Sequence, residues 1–306
     1  RETERVMKEW EDERISVTAS TIGITYCEPE QLKALWQWTV DHGRQFDIHA
    51  PAIFDQKYLA ARRGWTGGSF EWLADMGILS SNVIAAHAQN IRPGEAALIA
   101  QAGARIALVP DMEQVLGLVN FDSRQYLDNG VACGLGLDGP VVAYGHDLWA
   151  SLRSFLTSQR LGDQHRRLKA EAGAKWTGDE MLFGSGEYAL ELATIGGAKA
   201  LMMDDRIGSL EAGKEADILL VDIRGETQLS PPAALFANLV YGNGPSHDAV
   251  RRVLVGGRTV VRDGEHVSID RREAVRRSDA LHETLLDEVN ARRFVRMRSR
   301  FQWIDG

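Results

Sequence analysis

The sequence predicts an α/β fold built on parallel strands, and three observations predict it. From Asp41 to Asp138 one theme repeats, a short apolar run ending in polar residues and then a helical stretch. Strands that alternate with helices in this way are joined by crossovers and lie parallel. The runs are apolar nearly throughout, as strands covered on both faces must be.

Taken in order, Ile15 to Ile22 reads as a strand because most of its positions are β-branched. Pro29 to His42 reads as a helix: Leu32, Leu35, Trp36 and Val40 fall on one face, and Gly43 stops it. Further strands are expected at Phe46 to Ala50, Val83 to Ala88, Arg105 to Pro110 and Val131 to Asp138, with a helix from Gly94 to Ala102 closed by Gly103. Residues 51 to 82 are long for a connection, and their Trp65, Phe70 and Trp72 form either a lid or a satellite apolar cluster. Gly134 and Gly136 lack the third glycine of a nucleotide loop, so they serve close strand packing. Asp147 opens a helix over Leu148 to Leu156, and Tyr188 to Met202 forms another.

Beyond residue 200 the texture turns β-rich, with Ala216 to Asp222 followed by Val250 to Val255, Gly256-Gly257 and Arg258 to Arg262 as a hairpin. Arg271 to Arg293 is an amphipathic helix with Ala274, Leu281, Leu285, Leu286 and Val289 on one side, and Arg292 to Arg300 a solvated basic tail. The apolar side of that helix is a candidate contact for a homo-oligomer. The expected organisation is a body over residues 1–204, β strands over 205–270 and a helix with its tail over 271–306.

Composition removes several classes of function. The 306 residues are 44% hydrophobic and 25% charged, with 43 acidic against 35 basic side chains and a net charge of −8. Apolar content of that order rules against disorder, and no uncharged apolar run is long enough to span a membrane. An acidic chain repels phosphate backbones, so nucleic acid is not the expected partner. The charged start, Arg-Glu-Thr-Glu-Arg-Val-Met-Lys-Glu-Trp, lacks the apolar core of a secretory signal, which points to a cytoplasmic protein. Cys27 and Cys133 make neither a disulfide framework nor a Cys-x-x-Cys pair.

Chemistry concentrates at strand ends. His49 closes Phe-Asp-Ile-His, His87 closes Val-Ile-Ala-Ala-His, and Asp138 closes Gly-Leu-Gly-Leu-Asp. In a parallel barrel all the carboxyl ends meet on one rim, where active sites are built. Imidazole and carboxylate are ligands for a zinc-like ion, and a carboxylate beside activated water can take its proton.

The lines Asp-Ile-His-Ala (47–50), Ala-His-Ala-Gln-Asn-Ile-Arg-Pro-Gly-Glu (86–95) and Leu-Asp-Asn-Gly-Val-Ala-Cys-Gly-Leu-Gly-Leu-Asp-Gly (127–139) belong together with two later ones. Those are Glu191-Leu-Ala-Thr-Ile-Gly-Gly-Ala-Lys-Ala-Leu and Asp205-Arg-Ile-Gly-Ser-Leu-Glu-Ala-Gly-Lys-Glu-Ala-Asp-Ile-Leu-Leu-Val-Asp222. In this order, over about residues 12–270, the chain resembles the amidohydrolase superfamily of metal-dependent hydrolases. The similarity is to its branch of cytosine and guanine deaminases, s-triazine hydrolases and S-adenosylhomocysteine deaminases.

The resemblance implies a partial TIM (β/α)8 barrel, strands 4 to 8, followed by part of a small β-sandwich and a C-terminal helix. On this alignment the first three barrel strands, their His-x-His metal ligands and half of the sandwich have no counterpart in the chain. It also implies a divalent metal, zinc or iron, held by His49, His87 and Asp138. His87 either binds the ion or polarises water or substrate, and Asp138 also serves as the base. Asp111 and Glu113, beyond the penultimate strand, either contact a cationic or amine substrate or lie in a solvated loop; His146 is a further rim candidate. The expected activity is hydrolysis of a non-peptide C–N bond of a small molecule: an amide, a cyclic amide or an amino-heterocycle. The alternative is a truncated or inactive relative that acts as a binding module.

Overall fold

The computed structural model describes residues 2–12, 15–50, 55–89, 91–117, 123–140, 145–169, 185–224, 232–242 and 244–289. The chain divides into two units, Arg1–Ala216 with Ile223–Pro245, and Asp217–Asp222 with Ser246–Gly306.

In the first unit, α1 (Glu2–Trp10) precedes five strands, β1 (Ala19–Thr21), β2 (Phe46–His49), β3 (Val83–Ala86), β4 (Arg105–Leu108) and β5 (Cys133–Leu135). They form one sheet in sequence order with every pair parallel, as the alternating pattern predicts. The ladders are shorter than the apolar runs. Of Ile15 to Ile22, only Ala19–Thr21 pairs with β2, while the Thr18 hydroxyl donates to the Gln45 carbonyl. Of Val83 to Ala88, the last two residues leave the strand in left-handed backbone.

The helices that follow each strand bury one side of the sheet. They are α2 (Pro29–Asp41), α3 (Asp55–Arg63), α4 (Ser69–Asp75), α5 (Glu95–Ala102), α6 (Pro110–Val115), α7 (Arg124–Asp128) and α8 (Leu148–Lys169). Phe46 and Ile48 of β2 join Val83, Ala85, Ile106 and Leu108 in the core, because alternate side chains of a strand share a face. Phe70 and Trp72 lie in this same core and Trp65 packs against it, so the aromatic group of residues 51–82 is interior packing and not a lid. The segment after β4 is a helix with Pro110 at its first turn instead of a loop; proline there gives up only an N–H that has no intrahelical partner.

After α8 comes α9 (Gly186–Glu191), which runs through a π turn at Leu192–Gly196 into a last helical turn at Gly197–Ala200. Its Gly196-Gly197 pair explains one of the sequence lines above. A Cβ on Gly134 of β5 would stand 2.8 Å from the Gly197 Cα, and one on Gly196 would stand 2.9 Å from the Cys133 carbonyl oxygen. Glycine on both sides lets helix and strand touch backbone to backbone. Gly136 meets only ordinary contacts, so the packing reason applies to Gly134 alone. The first unit also contains α10 (Leu235–Tyr241). Both cysteines are free thiols. That of Cys133 is pushed up to about 12 by burial.

The second unit is an antiparallel sheet of β6 (Ile218–Val221), β7 (Val250–Val255), β8 (Arg258–Arg262) and β9 (Glu265–His266), in that order. Gly256 and Gly257 make the β7–β8 turn, both at positive φ. Of the line from Asp205 to Asp222 only β6 is a strand; Gly208 and Gly213, at φ 92° and 97°, keep the preceding stretch in turns. The sheet is followed by α11 (Arg271–Glu288), capped by Asp270, whose carboxylate accepts from the Glu273 N–H at 3.0 Å. No α11 residue is buried, so its apolar side is open among the described residues. The basic tail Arg292 to Arg300 lies outside the described residues.

Candidate active site

Pleating decides which groups reach the open face of the first sheet. Opposite the core-facing Phe46 and Ile48, β2 turns Asp47 and His49 outward, and the parallel register sets them beside Ile84 and Ala86 of β3. Ala86 in turn pairs with Ala107 of β4. Two alanines in adjacent strands leave room next to the imidazole, and a cavity of about 420 Å³ opens there, lined by Ser20, Ile22, Asp47, His49, Ile84, Ala86 and Ala107. Burial pushes the Asp47 carboxyl up. His49 is shifted down by burial and by the neighbouring His87, with Asp138 opposing, so its ring favours the neutral form.

His87 reaches the same rim by a strained turn. Its φ is 70° and that of Ala88 is 50°, left-handed values that non-glycine residues seldom adopt. The turn is held from two sides: the His87 N–H donates to the Ala107 carbonyl at 3.0 Å, and the hydroxyl of Tyr126 on α7 donates to the Ala88 carbonyl. Tyr126 is fully buried. Tyr126→Phe removes that donor and leaves a buried carbonyl unsatisfied, so a loss of about 1–2 kcal/mol is expected in urea unfolding. An unchanged midpoint would show that the bond does not hold the turn.

The His87 ring meets three partners. It stands edge-on to His49, with centroids 4.8 Å apart and planes at 89°. Its Nε2 lies 3.8 Å from Asp138 Oδ2, and its Nδ1 lies 3.7 Å from Glu113 Oε1. Asp138 is also left-handed, at φ 61°. Its Oδ1 accepts from the Gly139 N–H at 2.6 Å, which leaves Oδ2 facing His87, and its carbonyl accepts from His146 Nε2 at 2.9 Å.

His49, His87 and Asp138, all singled out by the sequence, thus come together at or beyond the ends of β2, β3 and β5, and His146 sits exposed beside Asp138. Asp111 is tied to α8, its Oδ1 accepting from the Ser154 hydroxyl at 2.8 Å. Glu113 lies inside, 1% exposed, on the far side of the His87 ring from Asp138. Burial raises the Glu113 carboxyl above the usual range, with His87 and Gln89 pulling it back; among the described residues no atom is in hydrogen-bond range of either oxygen, so burial wins. Sequence reasoning passed over Asp47 and Tyr126. For Asp47 the signal was present: two residues before His49 on a strand, it shares the imidazole's face. For Tyr126 no signal existed, because its partner is a backbone atom 38 residues away.

Imidazole and carboxylate groups gathered at the carboxyl ends of parallel strands are the arrangement of barrel enzymes. Residues 1–260 match the family model described as the amidohydrolase family, and the chain belongs to that family. A curated relative, the 5-methylthioadenosine/S-adenosylhomocysteine deaminase of Moorella thermoacetica, is 29% identical over 272 residues, 88% of this chain and 59% of the relative. An adenosine deaminase from Xanthomonas campestris, crystallised with bound zinc, superposes with a TM-score of 0.80 at 20% identity, over 92% of this chain and 60% of that one. The atrazine chlorohydrolase from Arthrobacter aurescens, complexed with zinc, gives 0.77 at 24% identity, over 92% and 58%. At these identities the two structures bear on the fold alone. The chain spans about three-fifths of the length of these relatives. No described helix is long and apolar enough to cross a membrane.

Proposed function

We propose that the chain carries the catalytic rim of a metal-dependent hydrolase that cleaves a non-peptide C–N bond of a small molecule, with an amino-heterocycle as the first substrate class to test. The observation that supports this reading most is the contact of His87 Nε2 with the uncommitted Oδ2 of Asp138, at 3.8 Å, beside His49. The donor chemistry fits a zinc-class ion: two imidazoles, one shifted by burial toward the neutral form, and a carboxylate whose Oδ2 accepts no hydrogen bond among the described residues. His49 and Asp138 would hold it, with His87 as a third ligand or as a polarising group. When bound, such an ion supplies Lewis acidity and makes water a nucleophile near neutral pH.

The chain's own groups would do the rest. Asp138 Oδ2 takes a proton from the attacking water and returns it to the leaving nitrogen, while His87 Nε2 orients and polarises that water by accepting its hydrogen bond. His146 and Asp111 are the rim groups for a substrate's amine or ring nitrogens. A cytoplasmic setting and self-association through the open side of α11 complete the reading.

One observation favours a rival. Among the described residues no group of three His, Cys, Asp or Glu side chains converges to hold a metal, whereas a catalytic zinc site uses three protein ligands. A metal-free binding module would look like this. Elemental analysis of the purified chain, with ammonia release from adenosine, S-adenosylhomocysteine and amino-triazines, separates the two. Bound zinc with release from any of these substrates supports the hydrolase; a folded, metal-free chain that binds a substrate without releasing ammonia supports the module.

A further inference from the structure

Two glutamates of the first unit are equally buried, Glu95 and Glu113, each 1% exposed. Glu95 is fully employed: its carboxylate accepts from the backbone N–H groups of Phe70, Glu71 and Arg92, at 2.7, 3.1 and 2.7 Å. Glu113 is the opposite. Neither of its oxygens has a hydrogen-bond partner among the described residues, and the polar atom that faces Oε1 is His87 Nδ1, at 3.7 Å and itself without a partner. Three orphaned polar atoms at one contact, deep in the interior, are a costly arrangement for a fold to keep.

We infer that Glu113 is the positioning residue of His87: its Oε1 accepts the Nδ1–H, which fixes the tautomer with a bare Nε2 aimed at Asp138. The gap is a few tenths of an ångström beyond hydrogen-bond range and sits between two flexible χ angles of a glutamate and an imidazole. The backbone on both sides is already committed. The left-handed turn at His87 is pinned by Tyr126 and Ala107, and α6, which carries Glu113, opens on Pro110 immediately after β4. The two side chains therefore need to move only locally to meet. A bare Nε2 is the form that can ligate a metal or accept a proton, and a carboxyl acceptor behind the ring fixes its orientation. Glu113 acts through His87 and touches neither substrate nor metal. In its consequence for metal binding, this inference rests on the function proposed above.

The test is nitrogen-15 NMR of histidine-labelled protein without added metal, with His87 assigned by the loss of its signals in His87→Gln. The expected wild-type spectrum has His87 protonated on Nδ1 and bare on Nε2. In Glu113→Met, which keeps the volume and removes the acceptor, the proton shifts wholly or partly to Nε2. Zinc affinity measured by competition falls about 10–100-fold in that variant. Glu113→Gln, which keeps an acceptor oxygen, retains the wild-type tautomer. A wild-type ring protonated on Nε2, or one whose tautomer is the same in Glu113→Met, overturns the inference; should that variant fail to fold, the wild-type spectrum decides. Wild-type zinc affinity in His87→Gln would instead sink the metal role of His87 and leave the tautomer result standing.

Discussion

On the hydrolase reading proposed above, Asp138→Asn is expected to lower turnover by about 10²–10⁴-fold and to weaken zinc binding, while the fold stays intact. The substitution is clean because of how the carboxylate divides its work. Oδ1 accepts from the Gly139 N–H at 2.6 Å, and an asparagine carbonyl can take over that bond. The left-handed φ of 61° is one that asparagine tolerates about as well as aspartate. What changes is the other oxygen: an NH2 group replaces Oδ2, 3.8 Å from His87 Nε2, and a proton acceptor becomes a donor. Asp138→Ala makes a useful contrast, since it loses the turn bond and the left-handed tolerance as well, and a stability loss of about 1–2 kcal/mol should accompany its loss of activity. Turnover, zinc content and the urea midpoint of the three proteins are the measurements. Asp138→Asn with turnover within tenfold of wild type would remove Asp138 from the chemistry.

The legible part of this site is the part that topology controls. Once the strands were parallel, the residues closing each apolar run had to share a rim, and His49, His87 and Asp138 follow from that alone. Glu113 was picked out as a rim candidate, but its inward direction was illegible for a physical reason. A charged residue one turn into a polar-looking segment is ordinarily solvated, and its direction depends on whether that segment is a loop or a helix. Pro110 reads equally as the end of a strand and as the first residue of a helix; the helix turns Glu113 inward. The strained turn at His87 and Ala88 was hidden too, since neither residue favours positive φ and the constraint comes from Tyr126 on another element. In the second unit, period alone gave the helix from Arg271, but period does not say what covers its apolar side, and none of the described residues buries it.

The largest effect on stability is expected at a residue that looks ordinary in the sequence. Glu95 reads as an acidic first-turn residue of α5, a position worth a few tenths of a kcal/mol. In the fold its carboxylate reaches a different βα unit and does what Gly68, with no side chain, cannot do at the start of α4: it accepts from Phe70 N and Glu71 N, two of the N–H groups a helix leaves unpaired at its first turn. Its second oxygen closes its own loop through Arg92 N. Gly68 permits the approach, since a Cβ there would overlap the Glu95 carboxylate. At stake is more than a short helix, because α4 sends Phe70, Trp72 and Leu73 into the core. Glu95→Ala strands one buried and two partly buried N–H donors, each costing about 1–3 kcal/mol before water enters the gap, so a total loss of about 3–5 kcal/mol is expected. Against a typical stability of about 5–15 kcal/mol that is about a fifth or more of what holds a domain folded. Glu95→Gln should fall between, keeping one acceptor and turning an NH2 toward a backbone N–H. Urea unfolding of the three proteins measures the order. An alanine variant within about 1 kcal/mol of wild type would mean that water satisfies those donors as well as the carboxylate does.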